Sequence, residues 1–412
     1  MDDIIILLGE NDNNIQIFNI VSKIKIENEI MIINNKDYII DNIDEYSNYR
    51  IIADNMKINE LNWYLFRGNK KFFNILNKGN SVILCCDCDW HLQTDSWINL
   101  YNEKYIKNLY HIGDQIYNDL LINRLINNLS NMDNYVQYKK QIKNKIYQNY
   151  FKSWNNLYKK HLLTSYPNLM IGDDHDIYDD DTEHINDHYL FIKECALEVY
   201  QEIQINLRID NKKSDFYYKI DNNILHIFFG RTLNFHYSVQ DFINYIDEIL
   251  FKATITKIKD IYLIFSKPPI NKNPRGLSKL FFKPVNDDFN IFYDYLLKLK
   301  NLNLNISIIA GDLHRQVISS VFYNKKFLTN LIIIPSMTSC SPLLNSKIFL
   351  NLPNSFKYKI FEEKRTNGYL LLNKNKFKIK SKNYYSNYLR NEIVIFYKIT
   401  KSKFQYENLV YF

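Results

Sequence analysis

Nowhere in this chain does an apolar run approach the length needed to cross a bilayer. The start, Met1-Asp2-Asp3 ahead of a brief apolar stretch, carries acid where a secretory signal carries base. These absences predict a soluble protein without a signal peptide. Cysteine is scarce and badly placed for cross-linking: Cys85, Cys86, Cys88, Cys195 and Cys340 are odd in number, with three packed together, which excludes a disulfide framework. A reducing, intracellular compartment is the expectation. There is no internal repeat and no compact basic block. The formal charge of +7 and pI near 8.8 come from lysines spread along the chain. Nucleic acid therefore gains only weak support as a partner, and nothing here fixes an oligomeric state.

What is present in excess is Asn, Ile, Lys, Tyr and Phe, residues that share A/T-rich codons, so composition records base bias before function. With 412 residues and 46% hydrophobic content, the chain suffices for a large core with a small appended domain. Short apolar stretches at Ile4–Leu8, Ile15–Ile20, Ile30–Ile33 and Tyr38–Ile40, broken by Asn, Asp and Glu, predict an N-terminal β domain over residues 1–78. The remainder, 79–412, reads as the main domain. Ser81–Cys86 is its first strand. Helical spacing follows between Asn118 and Pro167, with Pro167 as a stop, and again over Leu190–Leu207 and Val239–Phe251. Strand-length runs at Leu225–Phe229, Ile261–Phe265, Ile306–Ile309 and Leu331–Ile334 alternate with them, which favours an α/β architecture. Tyr369–Leu372 and Glu392–Ile399 predict C-terminal edge strands.

Three polar segments each follow an apolar β-like run: His111–Tyr117 (HIGDQIY), Gly172–Asp176 (GDDHD) and Ala310–Arg315 (AGDLHR). In α/β sheets ligands bind beyond the carboxyl ends of strands, and Cys86, Asp114, Asp174, Asp312 and His314 all sit there. Asp114 and Tyr117 form D-x-x-Y, a spacing at which a tight turn aims carboxylate and phenolate at one point, suiting a hard cation such as iron. Asp173, Asp174 and Asp176 crowd three carboxylates around His175, a set that repels itself unless a cation or solvent compensates, and the acidity of the loop predicts a bound metal. His175 is placed to donate a proton to a leaving oxygen or to stabilise transition-state charge. Asp312 and His314 share one side if the backbone stays extended. In the first segment Cys86, Asp87, Cys88, Asp89 and His91 all remain candidates, with Cys86 nearest the strand end. Cys85 and Cys195 read as core hydrophobes, and His184 with His188 as a solvated helix start. Lys267 and Arg315 are the basic residues best placed to neutralise a substrate phosphate.

The order of these segments resembles the alkaline phosphatase D (PhoD)-like branch of the calcineurin-like metallophosphatases. That family runs from a strand ending in S-C through G-D-x-I-Y and D-D-H-[ED] to G-D-V-H. Here the corresponding stretches are Cys85-Cys86, Gly113–Tyr117, Asp173–Asp176 and Gly311–His314. Fainter echoes fall at Ile264–Pro269, Ile333–Pro342 and Thr366–Leu370, so the likeness spans about Ser81 to Leu372. Departures are Cys85 in place of Ser, and Asn234-Phe235-His236 where the family carries D-x-R. The resemblance implies a two-sheet α/β sandwich flanked by helices, often behind an N-terminal β domain. It places metal ligands on Cys86, Asp114, Tyr117, Asp174, Asp312 and His314. It further implies iron with calcium, manganese or zinc serving in related branches, and a metal-dependent phosphohydrolase acting on phosphomonoesters or phosphodiesters. Its rivals are a catalytically degenerate phosphatase-fold binding module and a nuclease-like phosphodiesterase.

Overall fold

The computed structural model describes residues 3–12, 14–41, 43–87, 95–129, 134–178, 187–232, 237–253, 258–269, 271–272, 286–338, 350–351, 356–364, 366–373, 376–383, 393–399 and 404–411. The N-terminal stretch forms two small antiparallel sheets. One orders Ile4–Asp12, Ile15–Ser22 and Ser47–Ala53; the other orders Lys36–Ile40, Glu29–Ile33, Leu61–Phe66 and Asn69–Asn74. Strand alternation gives these strands two apolar faces. Ile6 and Leu8 close a core with Phe18, Met31 and Phe73, while Ile5 and Leu7 turn into the helical cluster of the main body.

Among the described residues the main body holds two seven-stranded sheets. The first runs Asn168–Ile171, Ile106–Ile112, Asn80–Leu84, Thr366–Asn373, Lys376–Asn383, Ile393–Ile399, Phe404–Tyr411. The second runs Phe216–Asp221, Ile224–Phe229, Asp260–Phe265, Asn305–Ala310, Lys326–Ile333, Gln316–Tyr323, Phe356–Lys364. Ile83, Tyr110, Ile112 and Leu169 of the first sheet meet Phe228, Tyr262, Ile264 and Ile309 of the second in one shared core. The alternate residues face outward. Val82 and Leu84 pack under Trp97 and Leu100 of the helix Asp95–Tyr101 and Leu162 of the helix Leu157–Ser165. Ile261, Leu263 and Phe265 pack under the helices Val239–Ala253 and Asn286–Asn301 through Phe242, Ile246, Phe292 and Leu296. Strands covered on both faces read as continuous apolar runs, which is why these segments stood out in the sequence.

The strands Asn80–Leu84, Ile106–Ile112 and Asn168–Ile171 are mutually parallel, as are Ile224–Phe229, Asp260–Phe265, Asn305–Ala310 and Lys326–Ile333. Parallel pairing sends the carboxyl ends of each set to one edge, and the polar segments follow those ends. The C-terminal expectation needs one correction. Thr366–Asn373 is an interior strand, paired with Asn80–Leu84 on one side and Lys376–Asn383 on the other, and Ile393–Ile399 is interior too, between Lys376–Asn383 and Phe404–Tyr411, which takes the edge. Burial of Tyr369 through Leu372 on both faces marks Thr366–Asn373 as central. No described helix is long and apolar enough to cross a membrane.

Candidate metal centre

The first strand ends at Leu84, and the backbone then stays tied to its neighbour: Cys86 N donates to Gly113 O at 3.1 Å and Asp87 N to Asp114 O at 2.8 Å. Gly113 is required where it stands. Its φ is +99°, and a Cβ there would lie 2.8 Å from Asp173 Cβ and 3.1 Å from Ser266 Cβ. Around it, Cys86, Asp114, Asp312 and His314 adopt φ of 53°, 56°, 65° and 49°. Left-handed backbone at non-glycine residues costs of order 1 kcal/mol each and persists only where the surroundings enforce it. Four of the side chains singled out for chemistry stand on such backbone.

These side chains converge. Cys86 Sγ lies 3.5 Å from Asp114 Oδ2, the Tyr117 hydroxyl donates to that same oxygen at 3.3 Å, and His314 Nε2 lies 3.4 Å from the Tyr117 hydroxyl. Cys86, Asp114 and His314 offer ligand atoms all within 4.8 Å of one another, and so do Asp114, Asp173 and Asp174. Asp114 thus joins two clusters. The extended geometry expected of Asp312-Leu313-His314 is not adopted. Leu313 N folds back to Gly311 O at 2.9 Å; His314 joins Cys86 and Asp114, and Asp312 Oδ2 lies 4.0 Å from Lys267 Nζ.

The three acids around His175 divide their work. Asp176 turns inward, its carboxylate accepting from the backbone N–H groups of Asp114, Gln115 and Asp173 at 2.9–3.1 Å and from Gln204 Nε2 at 3.0 Å. It ties the two polar loops together. Arg231, fully buried, reaches Asp173 Oδ1 through Nε and Asp174 Oδ2 through Nη2, each at 2.9 Å. Burial works against ionisation of Asp174, but Arg231 and Lys267 outweigh it and hold that carboxyl below its usual range. His175 Nδ1 engages Asp119 Oδ2 at 2.9 Å, and its ring stacks on Tyr117 with centroids 4.5 Å apart. Burial disfavours its charged form, yet Asp114, Asp119 and Asp174 together raise its pKa.

Of the alternatives to Cys86, Asp87 points away, paired with buried Lys159 and accepting from Trp97 Nε1 at 2.9 Å. Cys88, Asp89 and His91 lie outside the described residues, as do His184, Cys340 and Asn234–His236. Cys85 is buried in the core between the sheets and Cys195 in the helical cluster. His188 starts the helix Asp187–Ile203 with its ring 4.6 Å from that of Tyr135. Arg315 is buried with Nη1 3.0 Å from Glu363 Oε1. Arg231 and Asp119 were not foreseen. Arg231 lies two residues past the strand Ile224–Phe229, at the same kind of strand end as the others, and that placement was the available signal.

No family model matches the chain, and no curated protein does. Comparison with solved structures finds the structure of PhoD, with TM-score 0.69 at 11% identity, covering 98% of this chain and 92% of that one. The fold is PhoD-like. At that identity the likeness carries architecture and leaves chemistry to the residues. Within the PhoD-like frame, the donors at the strand ends suit a metal ion. Asp114 Oδ1 and Asp173 Oδ2 are buried and accept no hydrogen bond, and burial raises both carboxyls, Asp173 to about 7, so a cation is what would hold them ionised. Burial pushes the Cys86 thiol well up, and a coordinating cation is what releases such a thiol as thiolate.

Proposed function

We propose that the chain is a metal-dependent hydrolase of phosphate esters, monoesters or diesters. The observation that carries the reading is the convergence of Cys86, Asp114, Tyr117 and His314 from the ends of both sheets, with Asp114 shared with the Asp173–Asp174 cluster. Cys86, Asp114, Tyr117 and His314 would hold one cation, and Asp174 and Asp312 would extend the centre toward a second. Thiolate, phenolate and imidazole suit iron, and the carboxylate-rich side suits calcium; manganese or zinc fit the same donors less selectively. When bound, such ions polarise phosphoryl oxygens and acidify a water.

The protein's own groups do the rest. Asp119 fixes His175 through Nδ1, which leaves Nε2 to carry a proton for the leaving oxygen. Stacking on Tyr117 sets the plane of the imidazole. Lys267, buried beside Asp312, and Arg315, with its charge shared with Glu363, are the candidate contacts for substrate oxygens. Arg231 keeps Asp173 and Asp174 in place. The test is purified protein assayed on generic phosphate mono- and diesters across several divalent and trivalent metals. Turnover that Asp114→Asn and Asp174→Asn each abolish supports the reading, and turnover unchanged in both variants overturns it. Stoichiometric metal without any turnover would instead favour a binding module.

A further inference from the structure

The four-stranded N-terminal sheet is apolar on both faces. Its register sets Ile30 opposite Ile39, Ile32 opposite Asp37 and Leu65, and Trp63 opposite Phe72, so these side chains share one face. The other face carries Met31, Ile33, Tyr64, Phe66 and Phe73 into the core of the domain. On the outward face Ile39 is 67% exposed, Leu61 57%, Ile30 53% and Phe72 52%. An antiparallel sheet that meets water on one side ordinarily turns polar residues to it, and a contiguous apolar patch left outside marks an interaction surface.

One row of this face carries the charge pattern a partner must match. Lys70 stands opposite Leu65, so Asp37, Ile32, Leu65 and Lys70 cross all four strands in line, with an acid at one edge, a base at the other and apolar side chains between. Asp37 and Lys70 are both exposed. The Lys70 ammonium lies 4.1 Å from the ring centroid of Trp63 and 5.4 Å from that of Phe72, which keeps the positive charge on this face.

We propose that this face docks on the same face of a second copy of the chain, about a two-fold axis running along the strands. Such an axis lays the strand Lys36–Ile40 over the partner's copy of Asn69–Asn74. Asp37 then meets the partner's Lys70, Lys70 meets the partner's Asp37, and Ile32 covers the partner's Leu65. Symmetry makes each contact twice. A two-fold axis running across the strands would instead set Asp37 on the partner's Asp37 and Lys70 on the partner's Lys70, and like charges so placed cost affinity. The row therefore selects one of the two face-to-face arrangements, with the strands of the two sheets aligned. An anionic membrane surface is a poorer match, because it repels Asp37. The interface stands independently of the hydrolase reading.

The test is sedimentation velocity of the full chain across the micromolar range. The parent should associate reversibly to a dimer and no further. Asp37→Lys and Lys70→Glu each set like charges against one another at both ends of the row, so each variant alone should dimerise at least tenfold more weakly. Mixed in equal amounts, the two should recover the parent's association, because the mixed dimer restores an opposite-charge contact at both ends. That recovery also shows that both variants are folded. A parent that stays monomeric, single variants that associate as the parent does, or a mixture no stronger than its components would each overturn the proposal. So would a parent that binds anionic vesicles as a monomer and loses that binding in Lys70→Glu.

Discussion

Arg231 Nε stands 2.9 Å from Asp173 Oδ1 while its Nη2 stands 2.9 Å from Asp174 Oδ2, so one buried guanidinium grips two successive carboxylates. The fork links the loop after Ile171 to the loop after Phe229, and so one sheet to the other.

Removing that guanidinium takes from two buried carboxylates the cation that grips both, leaving only the more distant influence of Lys267 among the charges named for them. Arg231→Met should cost about 3–5 kcal/mol of stability, the usual penalty for breaking a buried ion pair from one side. Arg231→Lys should recover only part, because a single ammonium cannot reproduce the fork. Urea denaturation of the three proteins in chelator measures this, and near-identical midpoints would contradict it.

Lys159 and Asp87 form the matching anchor beneath Cys86. Both are buried, the ammonium also lies 3.2 Å from Ser153 Oγ, and Trp97 Nε1 holds the other carboxylate oxygen. Since Asp87 follows Cys86 directly, the pair fixes the turn that aims the thiol. Lys159→Met should lower metal affinity about 10–100-fold, the range for loss of a supporting partner. Double substitution with Asp87→Asn should destabilise less than Lys159→Met alone. Competition with a chelator and denaturation midpoints read the two effects.

Two buried histidines predict an acid limit. Burial, ahead of other causes, lowers His111 to about 3 and His226 to about 4. Unfolded histidine titrates near 6.5, so below that pH the unfolded chain takes up protons the folded chain refuses. Stability is then lost as pH falls from about 6.5 toward 4 for His226 and toward 3 for His111, by on the order of 3 kcal/mol per histidine. His226→Phe should remain closer to its neutral-pH stability at pH 4.5 than the parent does. An equal loss in both proteins would contradict the assignment.

How much of this could be read from the sequence differs by element. Strands buried on both faces, such as Asp260–Phe265 and Asn305–Ala310, announce themselves as apolar runs. The helix Asn286–Asn301 did not, because Asp and Lys interrupt its buried Phe292, Leu296 and Leu299. Thr366–Asn373 looked like an edge because chain order does not reveal that it inserts beside Asn80–Leu84. At the site, Asp114 and Tyr117 were legible because three residues of turn bring them together locally. Asp312 and His314 were legible as a pair, but the left-handed backbone that carries both was not. Arg231 escaped because a lone arginine has no local signature; its meaning comes from Asp173 and Asp174, 58 and 57 positions earlier in the chain.

The central claim is that Cys86 and Asp114 hold a catalytic metal in one shared site. X-ray absorption at the metal edge of loaded protein tests it most directly, with Cys86→Ser alongside. The account predicts one sulfur among oxygen and nitrogen neighbours, with the sulfur absent in Cys86→Ser and phosphoesterase turnover falling with it. A metal environment without sulfur in the parent protein, or one unchanged by Cys86→Ser, would contradict it.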